Sequence, residues 1–126
     1  MNINFKNFKT SSVTNMESMF NECNSLVSLD LSNFDTSLVT TMKYMFVKCL
    51  SLVTLDLSSF NTTYVQNMDS MFYNAQSLAS LDLSNFNTSS LKTLTYFLYD
   101  CKSLRFLNLK SFVETNDVKA EFIIMN

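Results

Sequence analysis

The chain repeats itself every 26 residues, and that period restricts its fold more than any other feature. LDLSNF begins at Leu29, LDLSSF at Leu55, LDLSNF at Leu81 and LNLKSF at Leu107; stepping back 26 from Leu29 reaches Ile3, which opens INFKNF. The 126 residues read as a single domain of four whole units, 3–28, 29–54, 55–80 and 81–106, and a partial fifth, 107–126. Apolar identity is kept in register from unit to unit. Leu29, Leu55 and Leu81 share one column, Phe34, Phe60 and Phe86 another, and Met42 and Met68 a third. One such unit cannot bury its own apolar stripe, whereas stacked units share a continuous core.

Within a unit the spacing changes midway. Leu29 and Leu31 flank Asp30 at the alternation of a strand. Val39, Met42, Phe46 and Cys49 are spaced three, four and three apart, the pattern of one face of a helix of about three turns. Thr36 or Ser37 stands where a hydroxyl would cap the first N–H groups of that helix. Each unit is therefore expected to run as a short strand, a turn, a short helix and a return. Gly and Pro are both absent, so Asn, Asp and Ser must make the turns.

The same absences remove most enzyme chemistry. Without Gly there is neither a phosphate-cradling P-loop nor a dinucleotide fingerprint. With no His there is no Ser-His-Asp or Cys-His pair and no Cys/His zinc finger. Three Cys cannot make a four-Cys zinc site. No catalytic, cofactor-binding or metal-ligating residue is expected, and the chain reads as a non-enzyme. Nine basic against eleven acidic residues leave a net charge of −2 with no basic block, so nucleic acid is not an expected partner. No apolar run approaches the ~18 residues of a membrane span. The opening MNINFKNFKT has no apolar core of a signal peptide.

The stretch LDLSNFDTSLVTTMKYMFVKCLSL at 29–52, repeated in register, resembles the BspA-like leucine-rich repeats of bacterial and protist surface proteins. The resemblance covers residues 3–106 and weakens after Phe112. It implies an α/β fold: a right-handed leucine-rich-repeat solenoid with a parallel sheet on one face and short helices on the other. It also implies a secreted or cell-surface adhesion module that binds host, matrix or other partner proteins. No catalytic residue belongs to the motif. The first unit departs from it with Ile-Asn-Phe, and the fifth with FVETNDVKAEFIIMN.

On this reading the open strand face carries Asp30, Asp56 and Asp82 in one column, with Ser28, Ser32, Thr54, Ser58, Ser80 and Ser84 around them. Carboxylates one rung apart repel, so they either hold hydrogen bonds to neighbouring serines or form an acidic stripe for a partner. Cys23, Cys49 and Cys101 share an inward column with Ala75 and read as buried thiols rather than a disulfide framework. Tyr44, Tyr64, Tyr73, Tyr96 and Tyr99 lie off the core columns and offer a second apolar surface. Asn61-Thr62-Thr63 and Asn87-Thr88-Ser89 match the glycosylation sequon, as chance allows in so Asn-, Ser- and Thr-rich a chain. Solenoids normally end in polar caps, whereas residue 3 opens on a core strand. Phe5 at one end, with Phe122 and Ile124 at the other, are the expected contacts of a head-to-tail homo-oligomer, in which the chain would be a self-assembling structural subunit.

Overall fold

Phe20, Phe46 and Phe72 lie one period apart in the chain and face to face in space. Their ring centroids are 5.4 and 5.5 Å apart and their planes within 8° of parallel. In the computed structural model, which describes residues 3, 5–115, 118 and 123, each period is one coil and each coil lies on the next. The N–H groups of Met16, Ser18, Phe20 and Glu22 donate to the carbonyls of Thr41, Lys43, Met45 and Val47. Met42, Tyr44, Phe46 and Lys48 donate in the same way to Asn67, Asp69, Met71 and Tyr73. Parallel bridges join Asn15, Thr41, Asn67 and Thr93 on this side of the coil and Thr54 to Ser80 on the opposite side. Only there does pairing lengthen into strands: β1, Ser80–Asp82, pairs in parallel with β2, Phe106–Asn108, with Leu81 opposite Leu107.

The expected leucine-rich-repeat solenoid with a helical face is not what the chain forms. Among the described residues there is no helix, and β1 and β2 are the only strands. The stretches with three-four-three spacing are successions of tight turns. Met19 N–H returns to Met16 O, Asn21 to Ser18 and Cys23 to Phe20. The third residue of alternate turns is left-handed: Ser18, Tyr44, Ser70 and Tyr96 in one column, Glu22, Lys48, Asn74 and Asp100 in the other, with φ between 53° and 59°. This is the type II arrangement. The physical reason is the rung height. An α-helix is about 10–12 Å across, and coils whose rings stack at 5.4 Å leave no room for one helix above another. A helix would also consume its own N–H groups, whereas here alternate ones bind the neighbouring coil. The inward spacing survives because the turns point Met42, Met45, Phe46 and Cys49 inward, each 0% exposed.

Thr36 does not cap a helix either. Its hydroxyl donates to Asn61 O at 2.9 Å and accepts from Asn61 N–H at 2.8 Å, one coil on. Thr10 treats Asp35 in the same way, and Thr62 treats Asn87. On the strand side Leu29 and Leu31 are buried and Asp30 is exposed, as the alternation requires. The core columns are fully enclosed in the middle coils and open towards the ends: Leu81, Leu83 and Phe86 are 0% exposed, while Leu107, Leu109 and Phe112 are half-buried.

Candidate functional site

The strand side presents outward-pointing residues between buried leucines. Ser28, Asp30, Thr54, Asp56, Ser80 and Asp82 line one shallow depression of about 440 Å³, floored by Leu29 and Leu55. Parallel pairing sets adjacent rungs about 4.8 Å apart, so one residue type repeated at a 26-residue interval becomes a row across the coils. Ser28, Thr54 and Ser80 form the hydroxyl row. Asp30, Asp56 and Asp82 form the carboxylate row beside it.

The carboxylates are held individually. Ser32 N–H donates to Asp30 Oδ1 at 3.0 Å, Ser58 to Asp56 and Ser84 to Asp82, each of the latter at 2.9 Å. The hydroxyl and N–H of Ser32 hold the Asp30 carboxyl below its ordinary range. The N–H and hydroxyl of Ser58 do the same for Asp56, where they outweigh the repulsion of Asp30. Ser84 acts likewise on Asp82. Of the two readings open from sequence, the serine bonds are thus present, and they fix each carboxylate as an exposed anion. Ser32, Ser58 and Ser84 lie at the turn as positioning residues, and the other six strand-face residues line the depression.

Phe106 joins this face by its place in the repeat, 26 residues after Ser80, although its residue type does not suggest it. It pairs with Ser80 across β1 and β2 and is 52% exposed, so an aromatic ring ends the hydroxyl row. Val27 and Val53, 49% and 41% exposed, occupy the column immediately before that row. The signal is present in the sequence: the column Ser28, Thr54, Ser80 is polar until Phe106 breaks it.

Of the end residues, Phe5 is half-buried against Phe8, Phe20 and Phe34; Phe122 and Ile124 lie outside the described residues. The three cysteines are free. Cys49 is 0% exposed and its Sγ–H donates to Phe20 O at 3.1 Å; burial pushes the thiol up to about 12. Cys101 donates to Phe72 O at 3.0 Å and is pushed up to about 11, again by burial. Among the tyrosines, Tyr73 and Tyr99 stack at 5.1 Å and Tyr96 meets Tyr99 edge-on at 5.8 Å. Among the described residues no group of His, Cys, Asp or Glu is placed to hold a metal ion, and no helix is long and apolar enough to cross a membrane.

The family described as "Mycoplasma protein of unknown function, DUF285" matches residues 1–112. No curated protein and no solved structure matches the chain.

Proposed function

The chain belongs to the DUF285 family, and on that premise we propose that it is a non-enzymatic protein-binding module whose strand face is the contact surface. One observation carries the reading. Three exposed carboxylates, each held by a serine, stand in a row beside exposed hydroxyls and end at the exposed ring of Phe106. Fixed anions lose little further freedom on binding, and an exposed aromatic supplies the apolar area that interface centres favour. The partner this face fits is a protein surface or extended segment bearing Lys or Arg beside an apolar group. The composition, without His or Gly, supports binding rather than catalysis. The resemblance of 29–52 to BspA-like repeats supports a place at the cell surface or in a secreted protein.

The test is charge reversal of all three carboxylates, Asp30→Lys, Asp56→Lys and Asp82→Lys together. The probe is an immobilised set of decapeptides carrying Lys at alternate positions with and without a neighbouring Phe. The parent chain should retain the Lys/Phe peptides, weakly and in a salt-dependent manner. The triple variant should lose at least about tenfold in affinity while melting cooperatively. Phe106→Ala should reduce retention of the Phe-bearing peptides alone. Equal retention by parent and triple variant would overturn the assignment of this face.

A further inference from the structure

We propose that the partner taken by the strand face is a basic amphipathic helix of another protein, lying along the stack with one helical turn to each coil. This rests on the contact face proposed above and narrows it to one partner shape. The face runs along the flank of the stack, where a further coil at either end would lengthen it and would not cover it.

The spacing along the stack carries the inference. Asp30, Asp56 and Asp82 stand one to a coil. Coils repeat at about 4.8 Å where strands pair, and the rings of Phe20, Phe46 and Phe72 stack at 5.4 and 5.5 Å. Two such steps from Asp30 to Asp82 cover about 10–11 Å. An α-helix rises about 5.4 Å per turn, so its residues i, i+4 and i+7, on one face, span about 10.5 Å. Alternate residues of a strand are about 6.6 Å apart, and three of them span about 13 Å. One cation per helical turn keeps step with one carboxylate per coil, whereas a strand runs ahead by about 2–3 Å over the row.

The width agrees. Val27 and Val53, 49% and 41% exposed, precede Asp30 and Asp56 by three residues, about 10 Å of extended backbone. That is close to the diameter of one helix, about 10–12 Å. Between the two rows lies the shallow depression floored by Leu29 and Leu55. A helix seated there sets a basic stripe against the carboxylates and an apolar stripe against the valines, the two-sided pattern of helix recognition in a groove. The carboxylates are available for it. The ion pairs among the described residues, Lys48 with Glu22 and Lys102 with Asp100, lie elsewhere. The column passes to Asn108 after Asp82, with Arg105 and Lys110 exposed near it, so the acidic row ends there and fixes where the basic stripe must stop.

The test uses two peptides of equal composition, about 18 residues or five helical turns long. In one, Lys recurs at i, i+4, i+7 and i+11, each followed by Leu, in an Ala background. In the other, the same Lys and Leu alternate as in a strand. The helix-patterned peptide should bind the full chain about three- to tenfold more tightly, through ion pairs in register. A short Ala-rich peptide is only marginally helical alone, so it should gain helix on binding. Among the described residues the chain has no helix, which assigns that far-UV signal to the peptide. A proline in the middle of the peptide breaks the helix and keeps the charge; its affinity should fall to that of the alternating peptide. Val27→Ser with Val53→Ser should weaken the helix-patterned peptide about threefold and leave the melting temperature little changed. Equal affinity for the alternating or proline peptide, or tight binding without a gain of helix, would overturn the helical partner. If that binding were still lost in the triple Asp30→Lys, Asp56→Lys, Asp82→Lys variant, the face would stand without it. Equal binding of the helix-patterned peptide by parent and triple variant would overturn both.

Discussion

A threonine hydroxyl has one proton to donate and lone pairs to accept with, and the column Thr10, Thr36, Thr62 uses both on a single residue of the next coil. These threonines are buried to within 2%, whereas Asp35, Asn61 and Asn87, whose N–H and C=O they bond, are exposed residues. Thr62→Val keeps the shape and removes the hydroxyl. It removes both bonds to Asn87 and should cost about 1–3 kcal/mol, read as a fall in the urea midpoint at unchanged slope. Thr62→Ser keeps the hydroxyl and should cost about 1 kcal/mol or less, for one methyl group. Equal costs for Val and Ser would mean that only packing matters at this site. The column is legible in the sequence and its task is not. A helix cap and an inter-coil clamp both ask for a hydroxyl before an apolar run, and only the partner 25 residues on distinguishes them. The Asp30–Ser32 bond is legible because its partner is two residues away, and the exposure of Phe106 because the 26-residue step puts it in the polar column of Ser28, Thr54 and Ser80.

A turn that needs positive φ ordinarily uses Gly, and this chain has none. Eight non-Gly residues accept the left-handed conformation instead, at a cost of about 1 kcal/mol or more each. That cost is offset by the coil-to-coil hydrogen bonds that the turns aim. Asn74 is the residue to change: its φ is 57° and its Oδ1 is buried without a hydrogen-bond partner. Asn74→Gly relieves both and should raise stability by about 1 kcal/mol, while Asn74→Ala keeps the backbone penalty and should gain less. A thermal melt in which Gly fails to exceed Ala would show that φ is not what limits this turn. The far-UV spectrum should lack the double minimum of a helix. At this scale the alternation of Leu29, Asp30 and Leu31 is sufficient because strand spacing is unambiguous about faces. The 39–49 stretch reads as a helix for a specific reason. Successive turns that point Val39, Met42, Phe46 and Cys49 into the core reproduce the periodicity of a helix face, and no residue in the stretch excludes either form.

Stacking makes the molecule a sum of like coils, so a group repeated in a column acts on the whole stability curve with one sign. Asp30, Asp35, Asp56 and Asp82 are all held below their ordinary value of 3.8 by serine hydrogen bonds. The folded form therefore takes up protons less readily than the unfolded chain. Their contribution is present above that value and is lost below it, as pH falls through the lower folded values. The thiols act in the opposite direction. Cys49 and Cys101 stand at about 12 and 11 against an ordinary 9.0, so the unfolded chain loses those protons first. This contribution is fully present well below 9.0 and declines as pH climbs through 9.0 towards the folded values. The Lys48 ammonium, raised by Glu22, contributes on this alkaline side as well, because its ion pair is lost when it deprotonates. The melting temperature should accordingly be flat from about pH 5 to 8 and fall on both sides. Cys49→Ala with Cys101→Ala isolates the thiol share. Ala75 occupies the same column at 0% exposure, so the coil accepts a methyl group there, at some cost in melting temperature. The variant should melt lower near neutrality and lose less than the parent between about pH 8 and 10. An alkaline slope identical in parent and variant would mean that the thiols do not report on unfolding, and that the alkaline limb belongs to Lys48 or another group. The 26-residue period, which assigns every side chain to a column, is what makes this measurement readable: Cys49 and Cys101 share a column with Ala75, so the column that mixes Cys with Ala supplies its own control.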